Sequence, residues 1–169
     1  PARPTACEHS PVCLCGARFG PDGTMLGASN FPPISVPQPY VAGDGSGWLV
    51  AWVAPDYTLR ASRILTDGTV EPDTTAASSA HRLLGLVHDG EHYVAAWIDR
   101  LDLHLYAARI DPATGATLDP AGIKISTTPV PFGVDPSASM AVAGGAVGIS
   151  WQGGAKDERD VYFARLDNG

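Results

Sequence analysis

The chain carries only three cysteines, all within its first fifteen residues, so any disulfide or thiolate chemistry belongs to the start of the sequence. Positive charge is scarce as well: 11 Lys and Arg stand against 18 Asp and Glu, for a net charge of −7. A phosphate backbone would be repelled, which argues against nucleic acid as a partner. No apolar run approaches the roughly 18 to 20 residues that cross a bilayer, so no membrane span is expected. The opening residues Pro1 to Cys7 lack the apolar stretch of a signal peptide. With no initial Met, a chain that opens in mid-repeat is expected to be a processed or excised piece whose secretion signal has been lost. Also missing are a Gly-x-Ser-x-Gly nucleophile elbow, a Walker or dinucleotide glycine pattern and the C-x-x-C-H haem motif. No segment carries a convincing helical pattern.

Glycine and proline are plentiful, at 19 and 15 residues, and with few charges they suggest many short strands joined by tight turns. The sequence also repeats itself. Tyr40-Val-Ala-Gly-Asp-Gly-Ser-Gly-Trp-Leu-Val-Ala-Trp52 is followed by Leu59-Arg-Ala-Ser-Arg63 and Thr66-Asp-Gly68. Leu86 to Trp97, Leu105-Tyr-Ala-Ala-Arg109 and Asp111 to Gly115 form the next unit, then Met140 to Trp151, Val161-Tyr-Phe-Ala-Arg165 and Asp167-Asn-Gly169. A half unit, Leu14-Cys-Gly-Ala-Arg18 with Asp22-Gly23, opens the chain. The successive spacings Arg18 to Arg63, Arg63 to Arg109 and Arg109 to Arg165 are 45, 46 and 56 residues, in the range of propeller blades and above that of ankyrin or leucine-rich repeats.

Within the third unit, Leu84 and Leu86, then Tyr93, Ala95 and Trp97, recur at period two around a turn centred on Asp89-Gly90, which reads as strand, turn, strand. A second pair is expected from Leu103 to Ile110, across the turn Asp111 to Gly115, into Thr117-Leu118. Asp-Gly pairs recur because hairpin turns need φ > 0, not because chemistry demands them. Four antiparallel strands per unit make an all-β chain, a β-propeller of four-stranded blades. Trp52, Trp97 and Trp151 then fill the gaps between successive sheets. Arg18, Arg63, Arg109 and Arg165 are expected on the solvated or interblade side, stems packed and heads paired to carboxylates.

The motif Val-Ala-Gly-Asp-Gly with Trp-Leu-Val-Ala-Trp, Ala-Arg-Phe and Pro-Asp-Gly-Thr-Met-Leu resembles the repeats, about 46 residues long, of large secreted bacterial β-propeller proteins common in myxobacteria. The resemblance covers residues 12–169 and brings no catalytic motif. Asp44-Gly-Ser-Gly-Trp48 shares only part of the sialidase Asp-box spacing. The organisation expected is an N-terminal arm (1–11), a half blade (12–39), blades over 40–82 and 83–135, and an incomplete blade (136–169). About three and a half blades do not close a ring, so unpaired edges call for a second copy, a longer parent chain or a multichain assembly.

Cys7, Cys13 and Cys15 are candidates for a disulfide that staples the arm to the first blade; with His9 they would alternatively supply a Cys₃His ligand set for a structural metal. No other cofactor is expected. His81, His88, His92 and His104 lie near Asp99 and Asp102 in sequence and could offer an acid–base pair, but His88 and His92 flank a hairpin turn and His104 alternates with Leu103 and Leu105, so surface histidines and no catalytic residue are expected. Carboxylate pairs such as Asp157-Glu158 offer at most weak Ca²⁺ ligation. The loops from the repeated Trp to the repeated Arg vary most between units, and Asp56, Tyr57, Asp99, Arg100, Lys156 and Arg159 are the candidate partner-binding residues. The expectation is a secreted or cell-surface, non-enzymatic scaffold that binds a protein. The alternatives are a lectin-like propeller that binds glycan and a fragment of a glycosidase-type propeller whose catalytic residues lie elsewhere.

Overall fold

The structure, a computed structural model, describes residues 13–33, 38–130, 138–153 and 160–167. Among these residues it contains thirteen strands and no helix. β1 (Cys13–Phe19) and β2 (Met25–Pro33) form a two-stranded sheet. The second sheet takes β3 (Tyr40–Gly43), β4 (Gly47–Val53), β5 (Leu59–Leu65) and β6 (Thr74–Ala77) in chain order. A third repeats that order with β7 (Ala80–His88), β8 (Tyr93–Asp99), β9 (Leu105–Ile110) and β10 (Ile123–Lys124). The fourth has three strands, β11 (Ala138–Ala143), β12 (Ala146–Gly153) and β13 (Asp160–Leu166). All pairings between named strands are antiparallel. The chain is therefore all-β, with four separate meanders of two to four strands.

Local chemistry sets the turns. The Asp44 carboxylate accepts the amides of Ser46 and Gly47 at 2.7 and 2.8 Å, and Asp89 accepts those of Glu91 and His92 at 2.8 and 2.7 Å. Each acid thus closes its hairpin by standing in for a backbone acceptor.

Strand alternation gives every sheet two faces, and apolar residues occupy both faces of the inner sheets. Leu49, Ala51, Val53, Leu59 and Ala61 of the second sheet form one cluster with Tyr93, Ala95 and Trp97 of the third. The opposite face of the third sheet, Val94, Ala96, Ile98, Leu105 and Ala107, joins Val147, Ile149 and Trp151 of the fourth. β8 is buried along its whole length because it lies between both clusters. Large side chains with less than 2% exposure, such as Leu49, Leu105 and Ile149, contribute about 1.5–3 kcal/mol each on leaving water.

The repeat is carried in register. Trp52 sits opposite Arg60, Trp97 opposite Tyr106, and Trp151 opposite Tyr162. Arg63, Arg109 and Arg165 sit opposite Leu49, Val94 and Gly148, in each case three residues before the Trp.

Three local expectations are corrected. Leu84 and Leu86 do not share a face: Leu83 pairs with Trp97 and Leu86 with Ala95, with a bulge between, so Leu84 turns to the other cluster. Leu103 precedes its strand and has φ 61°, and β9 starts at Leu105. Thr117 makes only an isolated bridge to Ile110, and the fourth strand of that sheet is Ile123–Lys124.

Candidate functional site

The loops leaving β4 and β8 emerge at the same end of adjacent sheets, and each is tied by a backbone bond to the segment that joins β6 to β7. The Ala80 amide donates to the Tyr57 carbonyl at 2.8 Å, and the Arg100 amide to the Ser79 carbonyl at 2.7 Å. Two candidate partner-binding residues meet here: the Arg100 guanidinium lies 3.9 Å over the Tyr57 ring. Tyr57 holds φ 64°, which costs a non-glycine residue free energy and is kept by these contacts.

The carboxylates in these loops are held by defined donors. Asp56 accepts the hydroxyl and amide of Thr58 at 2.6 and 3.1 Å, and these bonds hold its carboxyl below the usual range. Asp99 is buried, takes the Ser79 hydroxyl, and accepts the amides of Leu101 and Asp102 at 2.7 and 3.3 Å. Asp102 accepts the His104 amide at 3.0 Å, the Lys124 ammonium at 3.0 Å and the Tyr106 hydroxyl at 2.9 Å. Burial pushes the Asp102 carboxyl up, but these three bonds and the lysine charge outweigh it and bring it down to about 2. The same bond to Asp102 raises Tyr106 and Lys124.

Between the loop leaving β8 and the segment joining β6 to β7 lies a shallow cleft of about 230 Å³, lined among others by Ser79, Trp97, Asp99, Asp102, Tyr106 and Pro120. At its rim Leu101 is 84% exposed. Sequence reasoning picked out Tyr57, Asp99 and Arg100 here and missed Ser79, Leu101, Tyr106 and Lys124. An apolar residue flanked by Arg100 and Asp102 was the available signal for Leu101.

The histidines do not assemble with Asp99 and Asp102 as an acid–base pair. The His104 ring nitrogen Nδ1 faces the Ser126 carbonyl and hydroxyl at 3.0 and 3.2 Å, and Asp102 meets only the His104 amide. His88 packs edge-on against Tyr93, and His92 Nδ1 is buried without a partner. His81 stands on β7. Trp52, Trp97 and Trp151 are 0%, 3% and 8% exposed, and the latter two stack on Tyr106 and Tyr162.

Carboxylates meet three of the four repeated arginines. Arg63 meets Glu71 at 3.0 Å, Arg109 meets Asp119 at 2.9 Å, and Arg165 meets Asp167 at 2.7 Å. Arg18 instead donates to the Thr66 carbonyl at 2.9 Å. A second cleft, of about 560 Å³, opens between the first two sheets beside Arg18, Phe19, Leu26, Trp48, Ile64 and Asp67. Cys13 and Cys15 lie on β1, while Cys7, His9, Lys156, Arg159 and the pair Asp157-Glu158 fall outside the described residues. Among the described residues, no three or more His, Cys, Asp or Glu side chains are grouped as they would be to hold a metal ion. No family model matches the chain, and no curated protein matches it either.

Proposed function

We propose that the chain is a run of propeller-type repeats, secreted or displayed at the cell surface, that acts as a non-enzymatic scaffold and engages a protein through the loop end of its second and third sheets. The observation that carries this reading is Leu101, an 84% exposed apolar tip set on a braced polar base of Arg100 on Tyr57 and Lys124 on Asp102. An apolar anchor ringed by fixed polar groups is the arrangement of an interface hot spot, since little side-chain freedom is lost on binding. Asp99 is already engaged by the turn it closes, which favours a structural role for it over proton transfer. Trp52, Trp97 and Trp151 offer a sugar ring no face to stack on, and the exposed Trp48 lies at the second cleft, at the start of β4, which favours a protein partner over a glycan at this loop end. The propeller architecture is supported by the common Trp and Arg register of successive sheets. Extracytoplasmic location follows from the resemblance of the repeats.

The test is site-specific photo-crosslinking from position 101, with position 142 of β11 as the control, in the supernatant and on the surface of the producing cells. Crosslinking to one protein from position 101 only, abolished by Arg100→Glu, is the expected result. Equal yields from both positions would refute the loop assignment. A glycan-array signal lost in Asp102→Asn would replace the reading with carbohydrate binding, and turnover of a glycoside would replace it with a hydrolase.

A further inference from the structure

The first unit is joined to the second, and the second to the third, by an arginine of one and a turn of the next. Arg18 of the first unit donates to the Thr66 carbonyl in the second at 2.9 Å, and Arg63 of the second donates to the Ala113 carbonyl in the third at 2.9 Å. Each arginine also packs on the left-handed glycine of the turn it reaches. A Cβ on Gly68 (φ 91°) would lie 3.1 Å from Arg18 Nη1, and one on Gly115 (φ 70°) 3.8 Å from Arg63 Cγ. At the first junction the Asp67 carboxyl is lowered chiefly by its hydrogen bonds from Thr69, and the Arg18 charge adds to this in smaller part.

Among the described residues, the first turn and the last arginine each show one half of this junction without the other. Gly23 has the same left-handed φ, 81°, yet no atom of the described residues lies within 4 Å of the position a Cβ would take. Beside it Asp22 occupies the place of Asp67. At the other end Arg165 holds Asp167 but leaves its side chain 66% exposed. Arg63 shows that such an arginine can bind a carboxylate of its own unit and a carbonyl of the next at once.

The surrounding faces match in kind. Val161 and Phe163 of β13, at positions equivalent to Leu59 and Ala61, are 76% and 71% exposed. Phe163 reaches over Gly148, where a Cβ would lie 3.0 Å from its ring, so it fills the space that Leu49 and Val94 occupy in the earlier units. On the first sheet Phe19 and Met25 pair across the strands and are 60% and 61% exposed. Phe19 holds the position of Ile110 in the third sheet and Leu166 in the fourth, which lie in the two intersheet clusters.

We propose that the last sheet of one copy docks head-to-tail on the first sheet of a second copy, Val161 and Phe163 against Phe19 and Met25, with Arg165 reaching the turn at Gly23. The interface continues the one between units within the chain. It is heterologous, and so builds a ring if the rotation closes and a filament if it does not. The proposal rests on the stacked-repeat reading above. It is separable from the loop assignment because oligomer size and crosslinking from position 101 are read independently.

The experiment is light scattering and sedimentation on the whole chain and on two variants, Phe19→Glu and Phe163→Glu. Both sites are exposed, and circular dichroism checks the fold; Val161→Glu backs up Phe163→Glu, whose ring touches Gly148. The wild type is expected as an oligomer, and each variant alone to lose self-association by on the order of 100-fold, because an unpaired charge would be buried. Mixed together, the variants should form a 1:1 heterodimer, since one supplies an intact last sheet and the other an intact first sheet. Arg165→Ala should weaken the wild-type oligomer by about tenfold. A monomeric wild type, variants that still associate, or a mixture that stays monomeric would each overturn the proposal.

Discussion

Trp97 allows the role of the repeated tryptophan to be measured. Its ring is 3% exposed, lies in the cluster joining the second and third sheets and stacks on Tyr106 at 6.1 Å. An indole removes about 200 Å² of apolar surface from water, worth on the order of 5 kcal/mol at 25 cal/mol/Å². With partial collapse of the cavity, Trp97→Ala is expected to cost about 3–5 kcal/mol. Trp97→Phe separates area from hydrogen bonding. It forfeits about 1 kcal/mol of burial, but it also removes an indole N–H that is buried without a partner and whose desolvation costs about 1–3 kcal/mol. The phenylalanine variant should therefore fall within about 1 kcal/mol of wild type. Urea titration followed by the remaining tryptophans, at one protein concentration so that self-association is held constant, gives both numbers. A loss above about 2 kcal/mol for Trp97→Phe would refute the reasoning, because it would mean that the indole nitrogen is satisfied in solution.

Gly122→Ala should destabilise by about 2–3 kcal/mol, since the site has φ 70° and a Cβ would lie 3.1 Å from both the Trp97 and Tyr106 rings; thermal unfolding measures it. Asp102 titrates at about 2 when folded against an ordinary 3.8, so its stabilisation is complete above pH 4 and is lost as pH falls from there towards 2. Asp102→Asn should flatten that part of an acid-unfolding curve, and an unchanged curve would count against the bonds from His104, Lys124 and Tyr106. Intact mass before and after reduction should differ by about 2 Da for one disulfide among Cys7, Cys13 and Cys15, with no stoichiometric zinc by elemental analysis. Three free thiols with one bound metal would reverse that assignment.

The strands and their turns were legible because alternation and Asp-Gly pairs act over a few residues. Asp44 and Asp89 close their turns through their own neighbours' amides, so nothing distant is needed to place them. The bulge at Leu84 was hidden, since its driving contact is long-range: a Cβ at Gly85 would overlap the Met140 sulfur of the next sheet. The fourth strand of the third sheet was misplaced for a related reason. Asp119 turns back to hold the Arg109 side chain and its amide at 2.9 to 3.0 Å, and this carries the chain past Thr117 before pairing resumes at Ile123. At the loop cleft, the sequence pointed to Asp99 and Arg100 because the Trp-to-Arg loops vary most between units. It did not show that Lys124, 22 residues from Asp102, returns to complete the site.

The arginine-on-glycine junction also governs how such an array can change length. In the two junctions seen among the described residues, Arg18 with Thr66 and Arg63 with Ala113, the donor comes from one unit and the acceptor turn from the next. A unit copied or deleted as a whole brings or removes one of each, and the neighbours on either side still find a match. A partial copy, cut between arginine and turn, would leave two donors in succession or two acceptors, with a guanidinium facing no carbonyl. Length is therefore free to vary in whole repeats, while the register inside each repeat is not.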